Sequence, residues 1–106
     1  MRTKNFQKAS DLFDQIIPDK LKQKTFIHNN IFNNWKQIVG EDISEIIQPY
    51  NLKFLRYKIT EATLTLEVNE MLVNEAELLE NQIIQRINFF FGLNAVMRLK
   101  FKKKIL

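Results

Sequence analysis

Apolar and polar residues alternate along this chain with two different periods, and the switches between them mark out its elements. Residues 8–17 carry Leu12, Phe13, Ile16 and Ile17, a stripe that predicts a short amphipathic helix. Pro18 stops it, because the residue before a proline is pushed out of helical dihedrals. A second helix is predicted over 22–39, with Ile27 or His28, then Ile31, Phe32, Trp35, Ile38 and Val39 on one face and Gly40 as its stop. Residues 41–47 add a further turn before Pro49.

The period then falls to two. Thr63, Thr65 and Glu67 alternate with Leu64, Leu66 and Val68, which predicts a strand over 63–69 with its aliphatic residues inward. Residues 50–59 are also β-rich, but Leu52 and Phe54 share one parity while Leu55, Tyr57 and Ile59 share the other. A bulge reconciles the two. Thr60, Glu61 and Ala62 include no glycine, which argues against a two-residue hairpin. Helical spacing returns over 70–91 through Leu72, Ala76, Leu79, Ile83, Ile87 and Phe90, and Gly92 ends this longest helix. Asn94 and Ala95 turn the chain into a last strand, where Met97, Leu99 and Phe101 alternate with Arg98, Lys100 and Lys102. The predicted order is α-α-β-β-α-β in one domain over 1–106. It is a small α+β sandwich with helices packed on one face of a three-stranded sheet.

Charge changes this picture at one edge. The net charge of +4 is unevenly placed. Residues 91–106 hold Arg98, Lys100, Lys102, Lys103 and Lys104 with no carboxylate, whereas residues 70–90 set Glu70, Glu75, Glu77 and Glu80 against Arg86 alone. A cationic strand running into Lys103 and Lys104 suits an acidic partner, most naturally nucleic-acid phosphate. Lysines on an edge strand also block aggregation, and these residues alone leave both readings open. Lys53, Arg56 and Lys58, interleaved with Tyr50 and Tyr57, form a second basic group if their strand lies alongside. Phosphate contact rather than base reading is expected of both groups, since no Asn, Gln and Arg cluster suggests a sequence code.

Composition excludes several other classes. A hydrophobic content of 45% and nine phenylalanines exclude a disordered chain. The absence of cysteine excludes disulfides, thiolate metal sites and a cysteine nucleophile, and fits a reducing compartment. No apolar run approaches the roughly 18 residues of a membrane span, and the first residues lack a signal-peptide core, so a cytoplasmic protein without a membrane partner is expected.

Catalysis finds little support. His28, the one histidine, lies four residues before Phe32 on an apolar helix and reads as a half-buried packing residue. Glu41, Asp42 and Glu45 read as solvated carboxylates of a surface turn. Neither Gly40 nor Gly92 opens a phosphate-binding loop, and no metal-ligand spacing occurs. No catalytic residue, cofactor, metal or small-molecule substrate is expected. Trp35 sits on the core stripe, which favours packing over base stacking. Phe89, Phe90 and Phe91 span about 200° of helical arc, so at least one points away from the main core. It either packs under the last strand or forms an apolar patch for a partner.

Trp35-Lys36-Gln37-Ile38-Val39-Gly40, then Pro49, then Leu64, Leu66 and Val68 form an ordered series that continues through Glu77-Leu78, Ile87-Asn88 and Gly92 to Leu99 and Phe101. From about Phe6 to Lys102 the chain resembles the DciA family, bacterial proteins with a KH-like domain that assist the replicative helicase DnaB. The resemblance implies a non-enzymatic replication accessory protein that contacts DnaB and single-stranded or forked DNA and helps place the helicase ring. It carries over no catalytic residues. Asn88, which matches the family pattern, is expected to anchor the turn after its helix. Residues 49–64 run longer than the family's hairpin and lack its turn glycine. No GxxG loop occurs, so KH-like shape does not imply KH-type RNA recognition. The other reading is a protein-interaction adaptor without nucleic-acid binding, using the acidic helix 70–90 or a phenylalanine patch.

Overall fold

A computed structural model describes residues 20–55 and 58–104, and the helix expected at 8–17 lies outside them. Helices α1 (Lys20–Asn33), α2 (Trp35–Val39) and α3 (Glu41–Ile46) lead into β1 (Ile47–Lys53) and β2 (Ala62–Asn69). A 3-10 turn (Glu70–Leu72), α4 (Val73–Glu77) and α5 (Glu80–Phe91) carry the chain to β3 (Val96–Lys104). The architecture is α+β, as the patterning predicts.

The three strands form one sheet in the order β1-β2-β3, with β1 antiparallel and β3 parallel to the central β2. A parallel neighbour needs a crossover, and residues 70–95 supply it. Ala62, Leu64, Leu66 and Val68 of β2 are all buried and alternate with half-buried Thr63, Thr65, Glu67 and Asn69. The buried set joins Ile27, Ile31, Trp35, Ile38, Ala76, Ile83, Ile87 and Phe91 in a single core. Among the described residues the helices cover that face and leave the other open.

Two predicted helices are broken. The helix expected over 22–39 bends at Asn34, whose dihedrals of −119° and 25° leave the helical well. The side chains there bond locally: Asn30 Nδ2 donates to the Phe26 carbonyl at 2.9 Å and Asn34 Nδ2 to Asn30 Oδ1 at 3.0 Å. Such bonds offer the backbone an alternative to the helix. The bend aims Trp35 inward, where its Nε1 donates to the Ile47 carbonyl at 2.7 Å. The helix expected over 70–91 breaks at Leu78, where Leu79 N bonds to the Ala76 carbonyl at 2.9 Å. No glycine or proline marks this second break.

Strand boundaries moved as well. β1 begins at Ile47 and ends at Lys53, which removes the parity conflict between Phe54 and Leu55. Its bulge falls at Tyr50, between the pairs Pro49–Leu66 and Asn51–Thr65. Pro49 is tolerated because β1 is an edge. In β3, Met97 does not join Leu99 and Phe101 on the inner face. It is the extra residue between the pairs Ala62–Val96 and Thr63–Arg98, and it is half exposed. His28 is exposed rather than half-buried, stacked on Phe32 with ring centroids 4.4 Å apart.

Gly40 sets the turn between α2 and α3, and Gly92 and Asn88 set the path into β3. Gly40 has φ +95°, and a Cβ there would lie 3.1 Å from Arg86 Nη1, which donates to the Val39 carbonyl. Gly92 closes α5 in the left-handed region at φ 73°. Asn88 anchors the turn as expected: its Nδ2 donates to the Val96 carbonyl and its Oδ1 accepts from Val96 N, both at 2.9 Å. Asn88→Ala removes both bonds and leaves two backbone groups at the start of β3 short of partners. We expect a loss of about 2 kcal/mol in urea unfolding. A loss within about 0.5 kcal/mol would show that the clamp does not hold the strand.

Candidate nucleic-acid interface

The register of β3 decides where its cations stand. Paired residues in adjacent strands share a face, and Thr63, Thr65, Glu67 and Asn69 pair with Arg98, Lys100, Lys102 and Lys104. All four cations are therefore on the open face, and all are exposed. Lys103 pairs with the buried Val68 and so belongs to the other face, yet it too is exposed.

The second basic group divides. β1 does not lie beside β3, because β2 separates them. Lys53 nevertheless pairs with Thr63, which pairs with Arg98, so Lys53, Thr63 and Arg98 form one row across the open face. Lys58 lies in the connection after β1 and pairs with Glu61 at 3.0 Å. Arg56 lies outside the described residues.

Two features of this face depend on strand pairing, although the outward direction of Glu67 is already given by the alternation of β2. Glu67 faces outward among the cations, its half-buried carboxylate the one acid in the rows formed with β1 and β3. Tyr50, half exposed at the β1 bulge, receives Lys102 Nζ over its ring at 4.9 Å from the centroid. Since Lys102 must reach across β2 to make this contact, the tyrosine ring also stands on the open face. Neither the cationic neighbours of Glu67 nor the contact of Tyr50 with Lys102 has a local signal, because each depends on the pairing of distant segments. Among the described residues, Arg98, Lys100, Lys103, Lys104 and Lys53 take part in no ion pair. Their charge is available to a ligand.

The other candidates behave differently. Glu41 pairs with Lys36 at 3.6 Å, and Glu41, Asp42 and Glu45 are exposed to solvent. No group of three or more potential metal ligands occurs among the described residues. Trp35 is buried, as a core residue should be. The phenylalanine run splits by depth: Phe91 is buried, Phe90 is half-buried, and Phe89 is 90% exposed beside an open groove lined by Ile38, Gln85 and Arg86. Met71 and Leu78, flanking the acidic α4, are also exposed.

Comparison with known proteins adds one decisive match. Residues 8–101 fit the family model described as "Dna[CI] antecedent, DciA", which covers nearly the whole chain. The chain belongs to the DciA family. No curated protein and no solved structure matches it. DciA proteins are accessory factors of replicative-helicase loading, a role that is generally non-enzymatic. No helix among the described residues is long and apolar enough to cross a membrane.

If the open face is an anion site, Glu67 should oppose it. Glu67→Gln is expected to elute from heparin at higher salt than the parent, and Lys100→Glu at lower salt. Lys36→Glu, on α2, should move elution much less than Lys100→Glu. Equal shifts would mean that net charge, not this face, governs retention.

Proposed function

We propose that this DciA-family chain is a non-enzymatic replication accessory protein that binds the replicative helicase DnaB and, through the open face of its sheet, the phosphates of single-stranded or forked DNA. It acts in the cytoplasm as a single KH-like domain, without cofactor, metal or small-molecule substrate. The observation that carries the DNA part is the row Arg98, Lys100, Lys102 and Lys104, exposed on one face and joined across β2 by Lys53. Lys103 and Lys58 are outer contributors to the same basic edge. Family membership supports helicase contact.

A purely adaptor role draws support from Phe89, whose nearly complete exposure is unusual for so large an apolar side chain. In that reading the lysines serve solubility.

Fluorescence anisotropy of a labelled forked DNA separates the two. With about four phosphates engaged, raising salt from about 50 to about 200 mM should weaken binding roughly 50- to 150-fold. Reversing Lys100 and Lys102 to Glu should abolish it, while co-sedimentation with DnaB persists. Binding that ignores both salt and charge reversal would overturn the phosphate site and favour the adaptor.

A further inference from the structure

We infer that the open face is built for an extended single strand, with its phosphates along β3 and a base stacked on Tyr50. This deepens the phosphate-binding reading above and rests on it.

The first observation is the shape of the cationic row. Arg98, Lys100, Lys102 and Lys104 occupy alternate positions of one strand, so they repeat about every 6.6 Å in a nearly straight line. A flexible single strand lays successive phosphates along such a line. A duplex does not: its backbone turns through a full circle in about ten base pairs, and leaves a straight row after roughly two phosphates. Four rungs on one line therefore favour the strand that can straighten.

The second observation is what lies beside the row. Next to β3 on the same face come Thr63, Thr65, Glu67 and Asn69; the two threonines, beside Arg98 and Lys100, are short polar side chains that leave room above the sheet, while Glu67 lies beside Lys102. Beyond them, two strand spacings or about 10 Å from β3, stands Tyr50. That separation is comparable with the reach from a phosphate to its base. Bases directed from β3 across the threonines therefore meet the tyrosine ring. The β1 bulge is what brings it there, since Tyr50 is the residue left unpaired between Pro49–Leu66 and Asn51–Thr65.

The third observation links the two. Lys102 Nζ rests over the Tyr50 ring, so the cation that holds one phosphate and the ring that takes its base are already in contact. On binding, the ammonium moves from ring to phosphate on its flexible stem and the base takes its place, keeping a π contact on the tyrosine. In a duplex the bases are paired and stacked on one another, so this position has nothing to receive. Tyr50 is thus a specificity residue for single strands.

The test compares an oligo-dT with a blunt duplex of equal length, both labelled, against the full chain. Tyr50→Ala should weaken oligo-dT binding about five- to hundred-fold, with duplex binding unchanged, and Tyr50→Phe should keep the parent affinity. In Tyr50→Trp the new indole emission should be quenched by oligo-dT and not by duplex, against the constant background of buried Trp35. Far-ultraviolet circular dichroism confirms that each variant is folded. Equal losses for both DNAs, no loss for either, or unquenched Trp emission on binding would each overturn the stacking position. If the parent binds both DNAs in a salt-sensitive way and Tyr50→Ala changes neither, only this inference falls. If the parent binds neither DNA at low salt, the phosphate reading falls with it.

Discussion

The register of β3 against β2 is the constraint on which the rest of this molecule depends. Side chains in a strand alternate between faces, so a shift of one residue would exchange the two sets. Leu99 and Phe101 would then stand in water, and Lys100 and Lys102 would be driven into the core. Burying even one unpaired ammonium costs several kcal/mol, far more than any surface contact could return. The register is held from outside the strand: the Asn88 amide grips Val96, and Glu61 and Ala62 bond to the carbonyls of Asn94 and Ala95. The Met97 bulge lies at this clamped end, so the irregularity is absorbed before the cationic rungs begin.

Core and charged face are consequences of one alternation. The residues that bury Leu64 and Leu66 against the helices also present Thr63, Thr65 and their β3 partners to solvent. The helices contribute to the face only indirectly, by occupying the other side of the sheet and fixing its ends. Trp35 shows how: its indole N–H caps the Ile47 carbonyl where α3 passes into β1, which sets the strand that carries Tyr50 and Lys53.

Much of this was legible in the chain, and the exceptions share a cause. The α+β class, the β2 alternation, the burial of Trp35, the Asn88 anchor and the cationic outer face of β3 all follow from local periods or from a glycine or amide at an element's end. The kink at Asn34 and the break at Leu78 escaped because the apolar stripe continues across both without interruption. The bulge at Tyr50 escaped in position and the one at Met97 escaped altogether, because a bulge is a relation between two strands, and only one of them is visible at a time in sequence. For the candidate site, residue types were readable, but the row joining Lys53 to Arg98 and the Lys102–Tyr50 contact required knowing that β2 stands between β1 and β3. The splitting of Phe89 from Phe91 follows the roughly 100° step of a helix and was readable in kind, though not in which ring would emerge.

The parallel pairing of β2 and β3 also has a consequence for the order of assembly. β1 and β2 are joined by a short connection and can pair early, whereas β3 must wait for residues 70–95 to close a long loop before its contacts repay the entropy. Until that closure one backbone edge of β2 is unpaired and the four rungs are not yet aligned on a strand. During synthesis β3 emerges after every other described element. A nascent chain thus acquires its ligand-binding face in the same event that seals its core, and a half-made copy has neither.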